Sequence, residues 1–218
     1  MKPGIEMKVL KDRKEWLKNR KKIGGSDAAA IIGQNPYKSN VELWKEKTGQ
    51  SIPEDISEKP YVKYGTAAEE YLRELFKLDF PEYRVEYIEN NSFTNEAFPF
   101  AQASLDGWMY DEEGGLGILE IKTTNIMQSQ QKEKWKDRIP DNYYCQVLHY
   151  MAVLEADFVI LKAQLKYDFA DTVYLQTRHY RIEREDVADD IAYLMRKEKE
   201  FWEKVETGNR PALLLPDI

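Results

Sequence analysis

The chain has 218 residues, 42% hydrophobic and 33% charged, a globular balance with enough length to bury a core without metal or disulfide staples. A net charge of −7 argues against a domain that coats nucleic acid by bulk attraction, since such domains are usually strongly basic. The single cysteine, Cys145, excludes an intramolecular disulfide and any four-cysteine zinc or iron–sulfur site within one chain.

From the N-terminus, MKPGIEMKVLKDRKEWLKNRKK lacks an apolar core of signal-peptide length, and nowhere do about 18 apolar residues run together. The expectation is a cytoplasmic protein with no membrane segment. Residues 8 to 22 hold Lys8, Lys11, Arg13, Lys14, Lys18, Arg20, Lys21 and Lys22 against Asp12 and Glu15, an excess of six positive charges. Such a run is usually a solvated helix face, although it also offers an acidic chain one place to hold a polyanion.

Helix signals follow in order. SDAAAIIG (26–33) has Ser26 as a cap and Gly33 as a stop, and SNVELWKEKTG (39–49) carries a capping box from Ser39 to Glu42. TAAEEYLRELFK (66–77) offers a second box from Thr66 to Glu69. Between the last two, GQSIPEDISEKP (49–60) is the most flexible stretch by composition. In the 66–77 helix Glu69, Leu72 and Phe76 fall at i, i+3 and i+7 on the inward side, and Glu70, Arg73, Glu74 and Lys77 fall on the polar side.

Strand signals come next: YRVEYIE (83–89), FAQASLDGWMY (100–110) and GLGILEIKTT (115–124) as a meander, then a helix over DNYYCQVLHYMAVLEA (141–156). Two further strands, 157–167 and 172–182, precede a terminal helix with Val187, Ile191, Leu194 and Met195 at helical spacing. The expected architecture is α/β (α+β), a central mixed β-sheet flanked by helices. With no repeats, low-complexity tract or long linker, residues 1–218 read as one domain.

The chemistry sits in the meander. Side chains at i and i+2 share a strand face, so Leu119 and Ile121 point to the core while Glu120 and Lys122 point together to the other side. Asp106 lies about as far before the turn as Glu120 lies after it, so the hairpin brings two carboxylates together. Converging anions cost energy unless a cation sits between them, and oxygen ligands of this kind suit Mg²⁺ or Mn²⁺. Lys122 could hold or help deprotonate an attacking water. Blander explanations compete: exposed hairpin charges are common, Glu69 could merely close the Thr66 box, and Gln146, on a helix face with Tyr143, Tyr150 and Val153, could be a satisfied core amide.

Beside these open readings stand five ordered blocks: IGGSDAAAIIGQNPYKSNVELWKEKTG (23–49), YGTAAEEYLRELF (64–76), ASLDGW (103–108), LEIKTT (119–124) and YYCQVLHYMAV (143–153). Together they resemble the YqaJ-type viral recombinase family, the phage exonucleases to which lambda exonuclease belongs, within the PD-(D/E)xK nuclease superfamily. The resemblance covers roughly residues 16 to 153 and implies a restriction-endonuclease-like core completed by residues 157–218. It implies Asp106 and Glu120 as metal ligands, Glu69 as a further ligand or water-orienting carboxylate, the Ile121 carbonyl as a backbone ligand, Lys122 as the catalytic lysine and Gln146 as the helix-borne residue of the site. Arg20, Ser26 and Ser104 match the group that grips a terminal 5′-phosphate, and Ser26 after Gly24 and Gly25 also suits an anion physically.

The implied reaction is Mg²⁺-dependent removal of 5′-nucleotides from linear double-stranded DNA, with Mn²⁺ as a substitute and two ions per site. It leaves a 3′ single strand for the annealing protein of a phage recombination system in a bacterial host. Members are commonly trimeric rings, and relatives that carry an iron–sulfur cluster are excluded by the lone cysteine. The alternatives are a structure- or sequence-specific endonuclease on the same core and a non-catalytic DNA-end-binding module.

Overall fold

In the computed structural model, which describes residues 2–169 and 172–215, seven strands form two sheets. Strands β1 (Ile5–Val9) and β3 (Asn91–Asn95) pair antiparallel. The remaining five, β2 (Arg84–Glu86), β4 (Gly107–Tyr110), β5 (Leu116–Ile126), β6 (Phe158–Phe169) and β7 (Thr172–Glu183), run in the order β2-β4-β5-β6-β7. All neighbours in that sheet are antiparallel except β5 and β6. The helices are α1 (Arg13–Asn19), α2 (Gly25–Ile31), α3 (Asn40–Lys47), α4 (Pro60–Asp79), α5 (Ser129–Glu133), α6 (Asp141–Leu154) and α7 (Ala188–Glu206). No helix among the described residues is long and apolar enough to cross a membrane.

The mixed sheet flanked by helices is as expected, with β2, β4 and β5 as the meander. Its central strand is buried on both faces. Leu119 and Ile121 pack with Leu72 and Phe76 of α4, whereas Ile118 joins the larger core with Val147 and Met151 of α6 and Ala28 of α2. Glu120 therefore lies on a helix-covered face and is 2% exposed, as befits a strand with a parallel neighbour and helices on both sides.

Several local expectations are corrected. Helix α4 begins at Pro60, a favoured first position, with Lys59 as N-cap. Thr66 and Glu69 are thus inside the helix, and the supposed capping box there does not exist. Helix α2 starts at Gly25 with Gly24 as N-cap, which puts Ser26 in the first turn rather than at the cap, and the Asp27 carboxylate accepts the Gly24 N–H at 3.0 Å. Gly33, at φ +77°, does end α2, and Ser39 and Glu42 do form their box. Of residues 100–110 only Gly107–Tyr110 is a strand of the main sheet. The preceding residues bridge instead to Ile23 and Phe93. The start of the basic run is strand β1, which the charge pattern conceals.

Candidate active site

The β4–β5 register pairs Gly107 with Leu119, so Asp106, one residue before β4, stands opposite Glu120. Asp106 Oδ2 accepts the Ile121 N–H at 2.8 Å, and the Asp106 carbonyl accepts from Arg73 Nη1 at 2.6 Å. Glu120 Oε1 accepts from Lys122 Nζ at 2.5 Å and from Gln146 Nε2 at 2.9 Å. Glu120 Oε2 is buried with no partner. Gln146 Nε2 is also within 2.9 Å of the Tyr150 hydroxyl, and the Lys122 ammonium lies 5.1 Å from the centre of the Tyr143 ring. The Gln146 amide is satisfied, and through Glu120 it links α6 to the carboxylate of β5.

The charges in this group conflict. Burial, then the neighbouring Asp106, pushes Glu120 up to about 8, with Lys122 pulling back. Burial and Asp106 push Glu69 up to about 7. Asp106 is raised by burial, against the pull of Lys122, the Ile121 N–H and Arg73. Burial disfavours the Lys122 ammonium, but Glu120 and Asp106 outweigh it and hold Lys122 above the usual lysine range. Three carboxyls crowd around Lys122, and although Arg73 and Arg13 add to its pull, burial, with mutual repulsion at Glu69 and Glu120, keeps all three raised.

A cleft of 770 Å³ collects the predicted residues. Glu69, Asp106, Glu120, Ile121, Lys122 and Gln146 line it, and so do Arg20, Ser26 and Ser104. At the second group, Arg20 Nη2 donates to Ser26 Oγ at 2.9 Å, Trp16 Nε1 to Ser104 Oγ at 3.0 Å, and Ser104 Oγ to the Asn91 carbonyl at 2.8 Å. Gly25 lets α2 come this close to α6, since a Cβ there would sit 2.4 Å from the Tyr150 ring.

Some site residues escape the sequence patterns. Arg73, assigned to the polar side of α4, is 5% exposed, bonded to Asp106 and stacked 3.5 Å from the Tyr87 ring centre. Arg13 and Arg20 both stand over the Trp16 ring, at 4.0 and 4.8 Å, and line the cleft. Arg20 is one of the expected residues; for Arg13 the available signal is the excess of lysine and arginine over 8–22, and the i, i+3, i+7 spacing of Arg13, Trp16 and Arg20 puts all three on one face.

Among the described residues no three His, Cys, Asp or Glu side chains form a ready metal cage. The residues nonetheless fit a divalent cation, because Glu120 offers an unpartnered buried oxygen opposite Asp106 in a site short of positive charge.

Residues 15–157 match the model of the YqaJ-like viral recombinase domain. The chain belongs to that family. It is 33% identical over 209 residues to the uncharacterized protein YqaJ of Bacillus subtilis (strain 168), covering 92% of this chain and 59% of the relative, so it spans about three fifths of that relative's length. Among solved structures, an alkaline exonuclease of Laribacter hongkongensis superposes with a TM-score of 0.66 at 19% identity, covering 90% of this chain and 94% of that one. A complex of that exonuclease with dAMP gives 0.67 at the same identity and coverage. A phage-related exonuclease of Haemophilus somnus 129PT gives 0.53 at 13% identity, covering 86% and 96%. At these identities the structures establish for the YqaJ-like chain a shared fold.

Proposed function

We propose that this YqaJ-like chain is a metal-dependent exonuclease that removes 5′-nucleotides from linear double-stranded DNA, leaving a 3′ single strand for a strand-annealing protein. The observation that carries the reading is the buried Glu120 carboxylate, held by Lys122 and Gln146 with one oxygen unpartnered, across from Asp106. Asp106, Glu120, the Ile121 carbonyl and Glu69 would hold Mg²⁺ or Mn²⁺, two ions per site, supplying a Lewis acid and an acidified water to phosphodiester hydrolysis.

The chain's own side chains have distinct tasks. Lys122 holds the attacking water and offsets charge developing on the phosphate. Gln146 fixes the Glu120 rotamer, and Arg73 with the Ile121 N–H fixes Asp106. Arg20, Ser26 and Ser104, which line the same cleft, take the terminal 5′-phosphate. A trimeric ring would let an acidic chain gather its basic residues along one channel. Family membership and an alkaline exonuclease, one form bound to dAMP, among the fold neighbours support a nuclease.

The test is incubation with Mg²⁺ of linear 5′-phosphorylated duplex beside closed circular plasmid. Loss of the linear DNA alone, as mononucleotides, is expected. Nicking or cutting of the circle would make the chain an endonuclease, and cleavage undiminished in excess EDTA would end the metal hypothesis.

A further inference from the structure

We propose that His149 is a positioning residue for the 5′-phosphate end of the cleft, braced by Glu198 of α7 and acting through the backbone of Gln102. The proposal rests on the reading of Arg20, Ser26 and Ser104 as the phosphate grip.

His149 and Glu198 are each 0% exposed. His149 Nδ1 lies 2.8 and 3.0 Å from the two Glu198 oxygens, and Nε2 lies 2.9 Å from the Gln102 carbonyl. A carbonyl only accepts, so Nε2 carries a proton. Another proton is shared between Nδ1 and Glu198, as imidazolium with carboxylate or as imidazole with carboxylic acid. Burial disfavours the imidazolium, but Glu198, the Gln102 carbonyl and Asp27 of α2 outweigh it and raise the His149 pKa. Asp27 itself is paired with Lys47 of α3 at 2.7 Å.

The strut ends on the segment that holds the phosphate serines. The Gln102 N–H donates to the Ile23 carbonyl at 2.8 Å, and the Ile23 N–H donates to the Phe100 carbonyl at 2.9 Å. Ile23 leads directly into Gly24, Gly25 and Ser26. In the other direction Gln102 is two residues from Ser104 and four from Asp106. On α6, His149 stands one turn after Gln146, so one helix sets both the Glu120 carboxylate and the backbone between Ser26 and Ser104. A buried ionisable pair of this kind adds little net stability over well-packed apolar groups of the same size. Its return is a fixed geometry, and the geometry it fixes here is the distance between the phosphate end and the carboxylates.

The experiment measures binding, in EDTA, of the full chain to duplexes with 5′-phosphate and 5′-hydroxyl ends, together with KM and kcat in Mg²⁺. The variants are His149→Leu, His149→Met and Glu198→Gln. His149→Leu, folded by circular dichroism, should lose about tenfold of the preference for the phosphorylated end, the worth of one well-placed charge-assisted contact. Its KM should rise more than its kcat falls. Glu198→Gln should retain the preference, because an amide N–H can donate to Nδ1 while Nε2–H still reaches the Gln102 carbonyl. If His149→Leu does not fold, His149→Met, which also has no N–H to give the Gln102 carbonyl, decides by the same ratio.

An unchanged preference and KM in folded His149 variants, even with lowered stability, would overturn the proposal. So would a wild-type protein that cuts DNA but ignores the 5′-phosphate. A wild-type protein that prefers phosphorylated ends but never cuts would end the exonuclease reading while the binding ratios still decide the role of His149.

Discussion

Replacing Glu120 by glutamine should stabilise the metal-free protein at alkaline pH and change little at acid pH. Its carboxyl rises from an ordinary 4.5 to about 8, so between those values the folded state holds a proton that the unfolded state has released. Stability therefore falls as pH rises through that window, and Glu69, raised to about 7, adds to the slope. At about 1.4 kcal/mol for each tenfold change in proton affinity, ionising Glu120 costs the fold on the order of 5 kcal/mol by pH 9. Glutamine removes that cost but also takes an anion from Lys122, so the net gain is smaller than that figure. Each kcal/mol of net gain raises Tm by roughly 2–4 °C for a domain of this size. Thermal unfolding in EDTA at pH 5 and pH 9 measures it, and Mg²⁺ added at pH 9 should raise the Tm of the wild type alone. Equal destabilisation by Glu120→Gln at both pH values would mean that the carboxylate is a satisfied structural partner of Lys122, and the reading of the site as charge-deficient would fail.

Lys122→Ala should lower kcat by orders of magnitude with little change in DNA affinity, and Lys122→Arg should rescue poorly because a planar fork replaces a compact point charge. Weakened binding with wild-type turnover would reduce Lys122 to a phosphate contact. Arg20→Ala and Arg13→Ala should each narrow the rate difference between 5′-phosphorylated and 5′-hydroxyl ends, and equal rates on both ends in the wild type would remove these residues from the site. Gly25→Ala should cost about 1–3 kcal/mol in urea unfolding, the usual range for overpacking, since its Cβ meets the buried Tyr150 ring at 2.4 Å. A neutral result would show that α2 and α6 are free to separate.

How much of this was legible depended on whether the signal was periodic. Glu120 and Lys122 follow the two-residue alternation of a strand, and Asp106 follows from counting back through the turn, so the hairpin carboxylates could be placed from sequence. The three-part spacing of Glu69, Leu72 and Phe76 also turned Glu69 toward the cleft correctly. The same periodicity misplaced Arg73, because an arginine can bury its stem and still find an acceptor, here the Asp106 carbonyl, which no pattern within α4 encodes. The irregular segment 100–106 was hidden for a related reason. Its bridges to Ile23 and Phe93 are long-range, and its composition alone resembles that of a continuous strand. His149 and Glu198 were equally invisible as a pair, lying 49 positions apart on two helices.

The parallel pairing of β5 with β6 explains why one helix serves so much of the site. Parallel neighbours cannot be joined by a tight turn and need a crossover, usually helical. Here the crossover contains α6, which therefore packs across the face of β5 that bears Glu120. On that helix Tyr143, Gln146 and Tyr150 fall at i, i+3 and i+7, one stripe that meets Lys122, Glu120 and Gly25 respectively. His149 falls beside the stripe and reaches the Gln102 backbone and Glu198 of α7 instead. The carboxylate of β5, the close approach of α2 and the brace from α7 thus converge on two adjacent turns of α6. A substitution in those turns that keeps the fold should disturb the Glu120 carboxylate and the backbone around Ser26 and Ser104 together.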